Sequence, residues 1–129
     1  MAEVLTKPES SAVRIQTMKK LEVIIKPGKL DAVKKAVEKA GYMGVTISQV
    51  EGHGTQKGLT QKSTDGGYKL EMLPKIRVEI VIPDSQLEPI VQAISDAART
   101  GQPGDGKIFV SDVKDVIRIR TGERGEKAV

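Results

Sequence analysis

One pattern occurs twice in this chain. IIKPGKL…KAG in the first half and IVIPDSQL…RTG in the second each read as a strand, a proline, a helix and a glycine. LEVIIKP is a short β-rich run closed by Pro27. In KLDAVKKAVEKAG, Leu30, Val33, Val37 and Ala40 fall at helical spacing, and Gly41 follows as the C-cap. VTISQV reads as the next strand. LPKIRVEIVIP then alternates through Ile76, Val78, Ile80 and Ile82. DSQLEPIVQAISDAARTG is a helix with Leu87, Ile90, Val91 and Ile94 inward, ended by Gly101. Ser85 and Glu88 have the spacing of a capping box. KIFVSDV and VIRIR read as two further short strands.

Two split βαβ units predict an α+β fold, a ferredoxin-like βαββαβ sandwich with both helices on one face of an antiparallel sheet. The pattern occupies residues 18–129 as one domain. Residues 1–17 show no periodicity and read as a flexible N-terminal extension. Residues 52–70, GHGTQKGLTQKSTDGGYKL, are Gly-rich with no period, and so long a loop is usually functional. The sheet face away from the helices is expected to carry Val and Ile with nothing to cover it, which predicts an oligomer.

Composition narrows the function. Cys 0 removes disulfides, thiolate zinc sites and cysteine nucleophiles. His 1 leaves no histidine pair for a metal and argues against a Ser-His-Asp triad. Net charge +4 is too weak to imply nucleic acid by itself, but suits an anionic ligand in a local basic pocket. No apolar run approaches the roughly 18 residues of a membrane helix, and no apolar leader opens the chain. A cytoplasmic location without membrane insertion is the expectation.

Four stretches could carry chemistry. TGQPGDGKIF places Gly101, Gly104 and Gly106 where backbone N–H groups can form an anion nest, with Lys107 as a point charge. It is not a P-loop, because Ile108 stands where Ser or Thr is required. A plain tight turn is the alternative. RIRTG sets Arg118 and Arg120 two apart, which on a strand aims both guanidinium groups to one face. Such a pair suits a polyphosphate; a solvated edge strand is the alternative. In GHGTQKG, Gln56 offers a carbonyl oxygen to a metal or ligand, while His53 has no nameable partner. Tyr68 could anchor a partner or accept a modification, or simply fold back on the surface. Lys75 and Glu79 are four apart on one strand, one face; a solvated charge pair is the plain alternative.

Together MKKLEVIIKPGKLDAVKKAV, GHGTQKG (similar to G-F-G-R-Q-K-G), LPKIRVEIVIPD and TGQPGDGKIFVSDVKDVIRIRTGE resemble the PII nitrogen-regulatory signal transducers, from Met18 to about Glu123. The resemblance implies a non-enzymatic homotrimer that binds ATP or ADP in clefts between subunits, with 2-oxoglutarate beside MgATP. Loop 52–70 would be the T-loop that engages target proteins: an ammonium channel, a nucleotidylyltransferase, a metabolic enzyme or a regulator. Phosphates would lie on Gly104, Asp105, Gly106 and Lys107 and between Arg118 and Arg120. Gly52, Gly54, Thr55 and Gln56 would border the nucleotide, as would Ile24, with Thr46, Glu79 and Val81 near the adenine. Gln56, Lys57, Gly58, Lys75 and Gly104 would form the 2-oxoglutarate site, and Gln56 would touch Mg²⁺. Tyr68 matches the tyrosine that many bacterial members have nucleotidylated, whereas Gly66 stands at the cyanobacterial phosphoserine position. His53 replaces the family's Phe, Thr55 its Arg, and Thr64 the channel-plugging Arg, flanked by Lys62 and Lys69.

Two other ferredoxin-like classes fit less well. A nucleic-acid-binding domain needs aromatics on its central strands, and KIFVSDV offers only Phe109. An acylphosphatase-type hydrolase needs an Arg-bearing loop after the first strand, where this chain has KPGKL.

Overall fold

The structure is a computed structural model and describes residues 18–54 and 71–129. The expected extension 1–17 and residues 55–70 of the long loop lie outside the described residues. Strand β1 (Met18–Ile25) leads through a 3-10 turn to helix α1 (Leu30–Lys39). Strands β2 (Thr46–Gly54) and β3 (Glu71–Pro83) follow, then helix α2 (Leu87–Ala98) and strand β4 (Lys107–Val113). The sheet order is β2-β3-β1-β4, with every neighbouring pair antiparallel. This is the ferredoxin-like arrangement that the repeated unit predicts.

Each half turns from strand to helix at its proline. Pro27 opens a 3-10 turn, where its missing N–H costs nothing, and Pro83 immediately precedes the matching turn Asp84–Gln86. Helix α1 closes as the sequence implies. Gly41 adopts φ +100, its N–H donates to Glu38 O at 2.9 Å, and Tyr42 N–H donates to Val37 O at 3.1 Å. These two bonds make a Schellman motif. Helix α2 differs from expectation. It ends at Ala98, before Gly101, and neither its N-cap Gln86 nor Pro83 makes a side-chain capping bond. The 3-10 turn displaces Ser85 from the capping position, so the expected capping box does not form.

The core lies between the helices and one sheet face. Leu21, Val23 and Ile25 of β1 meet Ile76, Val78, Ile80 and Ile82 of β3, under Val33 and Val37 of α1 and Ile90 and Ile94 of α2. Full burial of each large side chain contributes about 1.5–3 kcal/mol.

Three further expectations are corrected. First, the open sheet face is not a Val/Ile surface. Register puts Glu22 opposite Glu79, Ile24 opposite Arg77 and Thr46 opposite Glu79, so this face mixes charges with Ile24, Val50, Val81 and Phe109. Ile76, Val78, Ile80 and Ile82 of β3 fall on the helix side because their period is two. Second, β2 continues to Gly54, paired with Glu71, so residues 52–54 are strand rather than loop. Third, VIRIR is not a sheet strand. It returns on itself: Arg118 N–H donates to Glu123 O at 2.9 Å, Gly122 N–H to Arg118 O at 2.7 Å and Gly125 N–H to Val116 O at 3.0 Å. A single bridge joins Ile117 to Arg124, and Gly122 and Gly125 take positive φ to make the return. Period-two alternation therefore does not align Arg118 with Arg120.

Candidate functional site: a glycine turn and an adjoining cleft

The Gly-rich turn between α2 and β4 is held from inside by Asp105. Its carboxylate accepts bonds from the Thr100 hydroxyl, from Thr100 N–H at 2.8 Å and from Gly101 N–H at 2.9 Å. Lys26 Nζ lies 3.2 Å away. The Thr100 bonds, followed by those from Gly101 and Lys26, hold the Asp105 carboxyl well below the usual carboxylate range. Its oxygens thus serve the turn, and what the turn can offer an anion is its backbone.

Gly106 shows why this turn needs glycine. Its φ is +107, and a Cβ there would meet the Ile24 carbonyl oxygen at 1.7 Å. Gly104, with φ +92, turns its carbonyl to Lys75, whose Nζ donates to it at 2.7 Å. Lys107 pairs in register with Ile24, and its amine is exposed with no partner among the described residues. The turn therefore joins close-packed backbone to three lysines, one of them unpaired, which fits a polyanion. Ile24, Gly106 and Lys107 also border a cleft of about 320 Å³ against Ser95 of α2 and Arg99 just beyond its end.

Thr46, Glu79, Val81 and Arg118 line a second cleft of about 710 Å³. Glu79 accepts from Lys20 Nζ at 2.8 Å, and that bond lowers its pKa and raises that of Lys20. Arg118 donates to Glu123 Oε1 at 3.2 Å. Arg120 lies in the exposed turn, with no ion pair among the described residues. Lys20, Tyr42, Ala128 and Val129 also line this cleft, and the sequence motifs did not mark them. The Tyr42 hydroxyl is pushed up by burial and then by the nearby Glu126 carboxylate. Lys20 could have been found only from register, since it approaches Glu79 across two strands.

The two groups are joined through β3. Lys75, which bonds the turn, and Glu79, which lines the cleft, stand four residues apart, about 13 Å along a strand. Gly52 lies against Lys75: a Cβ there would sit 3.4 Å from Lys75 Cγ. Gly54 is placed as the last residue of β2. Thr55, Gln56, Lys57, Gly58 and Tyr68 lie outside the described residues. Among the described residues no cluster of three His, Cys, Asp or Glu could hold a metal ion.

Comparison with known proteins agrees with the fold. The family model for nitrogen regulatory protein P-II matches residues 18–123. Proteins of that name from Rhizobium meliloti and Nostoc punctiforme are 51% and 54% identical over 112 residues, covering 87% of this chain and all of each relative. Among solved structures, Arabidopsis thaliana PII bound to citrate matches with TM-score 0.72 and 41% identity, covering 88% of this chain and 94% of that one. A Bacillus subtilis GlnK–ATP complex matches with TM-score 0.74 and 31% identity, covering 88% and 96%. A family model across most of the chain, relatives near half identity and the same fold all agree: this chain belongs to the nitrogen regulatory protein P-II family.

Proposed function

We propose that the chain is a non-enzymatic signal transducer that binds ATP or ADP, takes 2-oxoglutarate together with MgATP, and reports both through loop 52–70. The observation that carries this reading is the turn 101–107, braced by Asp105 and packed so tightly on Ile24 that only glycine fits at 106. Its lysines and backbone suit phosphates, and a relative with this fold is solved with ATP. Citrate on the Arabidopsis relative supports an appetite for polycarboxylates.

In this mechanism the backbone of Gly104, Gly106 and Lys107 receives the phosphates, with the Lys107 amine as counter-charge. Thr46, Glu79 and Val81 receive the adenine, and Arg118 and Arg120 close on the phosphates. The ligand sits between two copies of a homotrimer, the turn of one meeting the cleft of the next. Gln56 would be the residue to hold Mg²⁺ here, and the ion would supply positive charge to offset that of the anionic ligands. Lys75 pairs with a 2-oxoglutarate carboxylate after leaving the Gly104 carbonyl. A ligand that fixes Gln56 fixes how the loop leaves β2. The loop then presents one of its conformations to a target, an ammonium channel, a nucleotidylyltransferase, a metabolic enzyme or a regulator, and Tyr68 is exposed for modification in at least one of them. The shift can be no larger than the ligand's differential affinity for the loop states. The setting is cytoplasmic, with neither nucleic acid nor membrane insertion. Among the described residues no helix is long and apolar enough to cross a membrane.

Calorimetric titration tests the reading. ATP should bind, and 2-oxoglutarate should bind only with ATP and Mg²⁺ present. Absence of ATP binding would refute it, as would 2-oxoglutarate binding of equal strength without nucleotide.

A further inference from the structure

Both cations of the 710 Å³ cleft are already spent inside the chain: Lys20 on Glu79 and Arg118 on Glu123. The second pair is built into the return loop. Glu123 Oε1 accepts from Arg118 NH1 at 3.2 Å and from the Thr121 hydroxyl at 3.0 Å, while Glu123 N–H donates to Thr121 Oγ1 at 3.2 Å. The backbones of the same two residues are bonded as well, Arg118 N–H to Glu123 O. Two residues on, Gly125 N–H donates to Val116 O, and the following 3-10 turn, Gly125–Ala128, brings Ala128 and Val129 onto the cleft wall.

We propose that Glu123 is an internal competitor for the phosphate of a bound nucleotide. Its carboxylate holds Arg118 until a phosphate takes the guanidinium, and the exchange frees the segment that carries Ala128 and Val129 against the cleft. This rests on the nucleotide reading above and adds a residue that sets its affinity. Arg118 and Glu123 are 40% and 42% exposed, so the pair is partly screened and the competition is modest. A phosphate can therefore win, and Glu123 tunes affinity rather than blocking the site.

The test is Glu123→Gln, which removes the charge but keeps an oxygen for the Thr121 hydroxyl. ATP and ADP should bind the variant about two- to fivefold tighter, while adenosine, which has no phosphate, should bind as it does to the parent. Thr121→Val is the control. It loosens the turn without touching the charge, and should leave ATP affinity unchanged. Hydrogen exchange at the Gly125 amide should rise when ATP binds the parent chain. Unchanged ATP affinity in Glu123→Gln, an equal gain for adenosine, or the same gain in Thr121→Val would each overturn the proposal while leaving the nucleotide reading intact. Failure of the parent chain to bind ATP would remove both.

Discussion

Gly106→Ala should destabilise the fold strongly for a change of one methyl group. The new Cβ would stand 1.7 Å from the Ile24 carbonyl oxygen and 2.8 Å from its carbon. Ordinary carbon–oxygen contacts begin near about 3.3 Å, so the two segments must part by more than about 1 Å. The obstacle is backbone, in a strand with β3 on one side and β4 on the other, and it cannot rotate away as a side chain would. The φ of +107 adds about 1–3 kcal/mol of conformational strain for a residue with a Cβ. Opening the Ile24–Lys107 end of the ladder costs about 1 kcal/mol per hydrogen bond lost. The expected total is about 2–4 kcal/mol, or a fall in melting temperature of about 6–20 °C. Two other glycines separate the causes. Gly101 has φ +85 but open space around it, so Gly101→Ala should show the strain alone. Gly44 has open space and no positive φ, so Gly44→Ala should stay within about 0.5 kcal/mol. Circular-dichroism melts of the three variants at one protein concentration decide the matter. Gly106→Ala melting no lower than Gly101→Ala would show that the close approach to Ile24 carries no weight.

Other perturbations address the remaining parts. Lys75→Ala should spare ATP binding and abolish its synergy with 2-oxoglutarate; undiminished synergy by calorimetry would put the dicarboxylate elsewhere. Arg118→Ala and Arg120→Ala should each weaken ATP by about 1.5–3 kcal/mol, as loss of a charge-assisted bond does, and unchanged affinity in both would remove the arginines from the site. Asp105 is depressed below its unfolded value near 3.9, so its stabilisation is complete above about pH 5 and is lost progressively as pH falls through the lower folded value. Asp105→Asn should accordingly flatten the acid limb of stability against pH, and an unaltered limb in urea titrations would contradict that. Light scattering at micromolar concentration should give a trimer, and a monomer mass would exclude the shared site.

Much of this fold could be read from the order of residues. The alternation from Ile76 to Ile82 gave the core face of β3, and Val33 and Val37 gave that of α1. Pro27, Pro83 and Gly41 stand where local backbone chemistry demands them. Local signals failed where the outcome depends on distant pairing. Ile-Arg-Ile-Arg has strand periodicity, but its partner is its own return past Gly122, not the sheet. The polar character of the open face required the register of three strands at once. At the site, the glycines and the single lysine of turn 101–107 were visible as a motif, whereas the inward use of Asp105 and the Lys20–Glu79 pair depend on the folded structure.

The charged open face of the sheet bears on the order in which this protein is made. Lys20 with Glu79, and Arg77 with Glu22 and Ser48, already bond within the single chain. The charges of this face are therefore satisfied within one chain, without a second copy, and they break up what would otherwise be a continuous oily surface for a half-folded neighbour to adhere to. Association through such a face selects by charge pattern, because a misaligned copy confronts like with like. In the proposed trimer, a single reversed charge at Arg77 or Glu22 would bias whether a chain joins copies of itself or a differently charged sister chain.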